Sequence, residues 1–121
     1  MLSLRQAGIL DVSDDVVRCS TGLAGGGGGK KEICGAVVSG IQAIGLRHGR
    51  ADKSVDRKPA MELSGRLVED FRERFGTVSC RELVKGFSDF NSLERKEHCA
   101  RFVGDVAAWL ELTLKVRETD A

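Results

Sequence analysis

A single proline, Pro59, stands in 121 residues, tyrosine is absent, and one tryptophan joins five phenylalanines as the whole aromatic complement. With so few rings the core must be assembled mainly from Leu, Val, Ile and Ala, and stacking of nucleic-acid bases has little to work with. An excess of one charge is lacking too. The 19 Lys and Arg are matched by 18 Asp and Glu, a formal net charge of +1, without the concentrated positive field that nucleic acid or a membrane surface requires. No apolar run approaches the roughly 18 residues of a membrane span, and no charged segment leads into an apolar one as in a signal peptide. The expectation is a cytoplasmic protein with neither nucleic-acid nor membrane partners.

Strict alternation of β-branched or aromatic with polar residues is also missing, so helices fit better than strands. Hydrophobic residues at 41% beside charged residues at 31% suffice for a packed core. Residues 2–8 read as the last two turns of a helix closed by Gly8. Ser13 with Asp14 and Asp15 opens a second helix over about 14–23. Ile33, Val37, Ile41 and Ile44 repeat at helical spacing between about Lys31 and Arg47, with Ala36, Ser39, Gly40 and Ala43 as a small-residue strip. The segment His48 to Lys58 is a polar connection. Pro59 starts a helix whose Leu63, Leu67, Phe71 and Phe75 form a stripe ending at Gly76. A short helix holds Cys80, Leu83 and Val84 and stops at Gly86. The final helix opens at Asn91 or Ser92 and carries Cys99, Val103, Val106 and Leu110 on one face. These elements predict one all-α domain over 1–121, a compact bundle of four to five helices with a glycine-rich loop.

The loop is the glycine run from Gly25 to Gly29, which at about 1 kcal/mol per glycine relative to alanine cannot lie inside a helix. Followed by Lys30 and Lys31, it invites comparison with a phosphate-binding loop. Aligning Gly29-Lys30 with the fixed Gly-Lys pair puts Ala24 where the first glycine belongs and Lys31 where the magnesium-binding hydroxyl belongs, and no strand precedes it. A permissive turn between packed helices fits better.

Four cysteines remain: Cys19, Cys34, Cys80 and Cys99. No Cys-x-x-Cys and no zinc-finger spacing occurs. Cys34 falls in the expected first turn of a helix, just after two lysines. Amide dipoles and positive charge there favour a thiolate, which makes Cys34 the expected nucleophile, against the alternative of a small buried hydrophobe. Cys80 shares the argument more weakly, and Cys99 lies within an apolar stripe. Neither a Ser-His-Asp set nor a His-Glu-x-x-His motif is present, and hydrolytic catalysis has no support.

Four blocks stand in order: Gly22-Leu23-Ala24-Gly25-Gly26, then Cys34-Gly35-Ala36-x-x-Ser39-Gly40, then Phe75-Gly76-x-x-x-Cys80-x-x-Leu83, then Cys99-x-x-Phe102-Val103. Together they resemble the redox-active family named for its C_GCAxxG_C_C signature, which is similar to a domain of split-Soret cytochrome c. The resemblance implies a predominantly helical protein whose cysteines serve redox chemistry or hold an iron–sulphur or other metal centre. Family members carry a further cysteine on an N-terminal helix ahead of the segment matching residues 2–8, and Cys19 does not correspond to it. The expectation is therefore a redox protein in which Cys34, Cys80 and Cys99 come together for electron transfer or thiol–disulfide exchange. Gly25 and Gly26 would let the loop pass close to the site, and Gly35 and Gly40 would let the Cys34 helix pack tightly. The alternative is a metal-binding helical protein with a structural or interaction role, using the same three cysteines for an iron–sulphur cluster or zinc. Residues 2–8, read as the tail of a longer helix, predict pairing into a homodimer, and an electron-transfer protein is the expected partner class.

Overall fold

The computed structural model describes residues 1–89 and 91–114. Of the domain expected over 1–121, the segment 115–121 lies outside the described residues. The order is α1 (Leu2–Gln6), α2 (Asp14–Cys19), a 3-10 turn (Thr21–Leu23), α3 (Gly35–His48), α4 (Lys58–Phe75), α5 (Cys80–Leu83) and α6 (Leu93–Leu114). The chain is all-α, with no strand among the described residues, and no helix among them is long and apolar enough to cross a membrane.

Local chemistry sets the ends of these helices. Gly8 takes φ +74°, and the Ile9 amide then reaches back to the Leu4 carbonyl at 3.0 Å, which satisfies an acceptor at the end of α1. The Ser13 hydroxyl accepts from the Val16 amide at 3.4 Å to start α2. Gly76, at φ +85°, ends α4 with its amide bonded to the Arg72 carbonyl at 2.7 Å. Three boundaries differ from the sequence reading, one of them at α5, which ends at Leu83 and leaves Val84 as its cap outside the helix. α2 gives way after Cys19 to a 3-10 turn. α3 begins at Gly35 instead of near Lys31, because Lys31 takes φ +59° and a left-handed residue cannot sit inside a right-handed helix.

α3 packs on both α4 and α6. Val37 and Ile44 of α3, Leu67 and Phe71 of α4 and Leu110 of α6 are fully buried where these helices meet. The helices cross closely at Gly40: a Cβ there would stand 2.5 Å from Leu67 Cδ2 and 2.8 Å from Val106 Cγ1. Both neighbours are locked in the core, so the small residue sets the α3–α4–α6 spacing. At the other edge of the bundle Trp109 Nε1 donates to Asp70 Oδ2 at 2.8 Å. Arg74 contacts Asp105 Oδ2 through Nε at 3.0 Å and Nη2 at 2.6 Å. These fasten α4 to α6 by polar contacts that fix register more than they add stability.

Candidate functional site

The glycine run builds one wall of the site. Gly25 to Gly29 have φ of 65°, 79°, 93°, 56° and 75°, a left-handed path that glycine alone follows without steric penalty. The turn closes on itself: the Gly28 amide bonds the Gly22 carbonyl at 2.8 Å, Lys31 bonds Gly25 at 2.9 Å and Glu32 bonds Gly26 at 2.9 Å. Amides spent in this way are not a phosphate cradle.

The same turn is fastened to the segment that opens α5. The Cys34 amide donates to the Val78 carbonyl at 2.8 Å and the Arg81 amide to the Lys31 carbonyl at 2.9 Å, while Arg81 Nη2 reaches the Lys30 carbonyl at 3.1 Å. These bonds set residues 31–34 beside residues 78–81, which is how Cys34 and Cys80 become neighbours. Gly26 completes the contact, since a Cβ on it would lie 2.6 Å from Lys31 Cα and 2.9 Å from Cys80 Cβ.

α6 brings the third cysteine. His98 sits between the rings of Phe87 and Phe102, with centroids 5.1 and 5.0 Å away, and its Nε2 lies 2.8 Å from the Leu83 carbonyl. A carbonyl only accepts, so Nε2 carries the hydrogen. This bond pins α5 to α6 one residue from Cys99.

Cys34, Cys80 and Cys99 all line one cavity of about 490 Å³. Cys34 and Cys80 are each 7% exposed, Cys99 is half-buried against the core, and Cys19 is exposed. All four are free thiols. Gly25, Gly26 and Gly35 line the cavity, and Gly40 lets the helix that follows Cys34 pack closely at the crossing described above. Arg95, the only charged side chain among the described lining residues, was missed in the sequence, although it lies four residues before Cys99 and so on the same face of α6.

The electrostatics correct the expectation for Cys34. It is the residue preceding α3, not a member of its first turn. Burial pushes its thiol above the ordinary value, the Val37 and Ala36 amides oppose the rise, and the neighbouring Cys80 and Cys99 add to it. Desolvation outweighs the helix-end dipole, so Cys34 is held as a neutral thiol. Burial also raises the Cys80 thiol, as does the charge of Cys99, while Arg95 and Lys31 pull it down.

Among the described residues no group of three or more His, Cys, Asp or Glu side chains is arranged to hold a metal ion. What the arrangement offers is three thiols lining one largely apolar space.

No curated protein and no solved structure matches the chain. Residues 2–112 match the family described as "Putative redox-active protein (C_GCAxxG_C_C)". With nearly the whole chain covered, the protein belongs to the C_GCAxxG_C_C redox-active family.

Proposed function

We propose that the protein performs thiol–disulfide exchange in which Cys99 and Cys80 cycle between dithiol and disulfide, with Cys34 as a buried third thiol. The observation that carries this reading is the convergence of three cysteines from three segments on one cavity. Cys99 is the most accessible of them and attacks first. Burial still raises the Cys80 thiol once Cys99 is tied up in a mixed disulfide, but the Cys99 charge no longer adds to that rise, and Arg95 and Lys31 pull against it. The resolving attack then follows. A reducing compartment such as the cytoplasm is the setting that would return the disulfide to the dithiol.

The test is mild oxidation of the metal-free reduced protein with diamide, followed by thiol counting and peptide mapping. The expected product has lost two titratable thiols and two hydrogens, with Cys80 linked to Cys99 and Cys19 still free. A stoichiometric metal in the protein as purified, with no internal disulfide after oxidation, would replace this reading by metal binding.

A further inference from the structure

The cavity lined by the three cysteines has a volume of about 490 Å³, within the usual range for ligand sites of roughly 300 to 1,000 Å³. Its walls come from elements far apart in sequence: Leu4 of α1, Leu23 of the 3-10 turn, Leu83 of α5, and Phe102 and Val103 of α6. An apolar body gains burial among them. The charge of the lining, by contrast, has one sign. Half-buried Arg95 lines the cavity and no carboxylate does among the described residues. Met1 and Ser39 line it as well, and the Met1 ammonium donates to Ser39 Oγ at 3.2 Å. Burial holds that ammonium below its ordinary value, an effect that a neighbouring anion opposes. A carboxylate entering this space gives up hydration, and a charge-assisted hydrogen bond from a guanidinium offsets that loss. Arg95 also joins this charge to the thiols. It stands four residues before Cys99, on the same face of α6, and its charge acts on Cys80. An anionic group held by Arg95 therefore brings the rest of its molecule to the two cysteines of the exchanging pair.

We infer that this cavity is a binding site for a small organic disulfide carrying a carboxylate on an apolar body, held with the carboxylate on Arg95 and reduced by the Cys99–Cys80 pair. The inference rests on the dithiol reading above and adds the class of substrate. In the first step the Cys99 thiolate attacks one sulphur of the bound disulfide. The substrate's S–S bond breaks, a mixed disulfide forms, and the leaving thiolate takes up a proton to depart as a thiol. In the second step the Cys80 thiolate attacks the Cys99 sulphur, the mixed disulfide breaks, and the second substrate thiol leaves with another proton. The two protons are those that the protein thiols gave up on ionising. The protein dithiol is oxidised by two electrons and the substrate disulfide is reduced to two thiols.

Cys19, exposed and outside the cavity, supplies an internal reference. Reduced protein without an N-terminal tag is treated with dithiobis(nitrobenzoate), a carboxylated aromatic disulfide, or with dipyridyl disulfide, its uncharged counterpart, and the rate of modification at Cys99 is divided by that at Cys19 in the same chain. Comparing Arg95→Gln with the unaltered protein cancels the influence of the charges around Cys19. In Arg95→Gln the ratio should fall about tenfold for the carboxylated reagent, the scale of one lost hydrogen bond between charged groups, and several-fold less for the uncharged one. Arg95→Lys, which keeps the charge, should retain most of the preference. A second measurement needs no variant: nitrobenzoate should slow the reaction of dipyridyl disulfide at Cys99 relative to Cys19, and uncharged nitrobenzamide should do so several-fold less. An equal loss with both reagents, or equal protection by both competitors, with an internal disulfide still formed, overturns the substrate class while leaving the dithiol chemistry standing. Failure of both reagents to produce an internal Cys80–Cys99 disulfide overturns the dithiol reading itself.

Discussion

Gly26 is the residue on which the site most directly depends, because two separate constraints meet there. Its φ of +79° penalises any side chain, and its Cα faces the Lys31 backbone and the Cys80 Cβ with no room for a methyl group. Gly28 has the first constraint without the second: its φ is +56° and nothing lies within 4 Å of where a methyl group would stand. Gly28→Ala should therefore destabilise the protein by only the left-handed strain, about 1–2 kcal/mol. Gly26→Ala should cost more than that and also displace Cys80 from its neighbours. Chemical denaturation of both variants, together with the yield of the Cys80–Cys99 disulfide, separates the effects. A normal disulfide yield in Gly26→Ala would show that the loop does not position Cys80.

At the scale of the elements, α5 is a single turn of four residues, too short to hold itself together in isolation. It is held from outside. The Ser79 hydroxyl accepts from the Glu82 amide at its start, the glycine turn grips it through Arg81, and His98 grips its end at the Leu83 carbonyl. His98 also joins the ring series in which Phe102 contacts Phe71 and Phe75 at centroid distances of 5.7 and 4.9 Å, so the tie connects α5 to the α4–α6 core. His98→Ala should lower stability by about 1–3 kcal/mol, through the unpaired Leu83 carbonyl and the lost ring contacts. Because α5 carries Cys80, the variant should also make the Cys80–Cys99 disulfide easier to reduce. Equilibration with a dithiothreitol buffer reads this as a shift in the dithiol–disulfide ratio, which a change confined to surface stability would not produce.

For the whole molecule, burial of Cys34 links folding to pH. Its thiol is raised in the folded protein, chiefly by desolvation, so above about pH 8.5, the ordinary value of a free thiol, the unfolded chain loses a proton that the folded chain retains. Stability from this source is fully present below that pH and falls as pH rises toward the folded value, by at most about 1.4 kcal/mol per pH unit for one thiol. The reduced protein should accordingly lose denaturation midpoint between about pH 8.5 and 10. Cys34→Ala should flatten that decline, while Cys19→Ala, at an exposed position, should leave its slope unchanged. A slope identical in all three proteins would mean that Cys34 is hydrated in the folded state.

Much of the fold was legible because the signals that make helices act over three or four residues. Gly8 and Gly76 ended helices where their left-handed φ was needed. Ser13 capped where its hydroxyl met an amide three residues on, and the stripe through Leu67 and Phe71 proved to be core. The glycine run could only be a turn. The state of Cys34 was not legible in the same way. The two lysines before it suggested a thiolate, yet its desolvation is a sum over packed neighbours from several segments, and no local pattern encodes that sum. The pairing of residue 34 with residue 78, the tie from His98 to Leu83, and the need for a bare Cα at Gly40 against Leu67 and Val106 likewise join positions far apart in the chain. Sequence by itself determined the helical class, the turns and the family. Only tertiary packing decided which thiols are buried and that three of them share one cavity, because burial and convergence are collective properties of the assembled core.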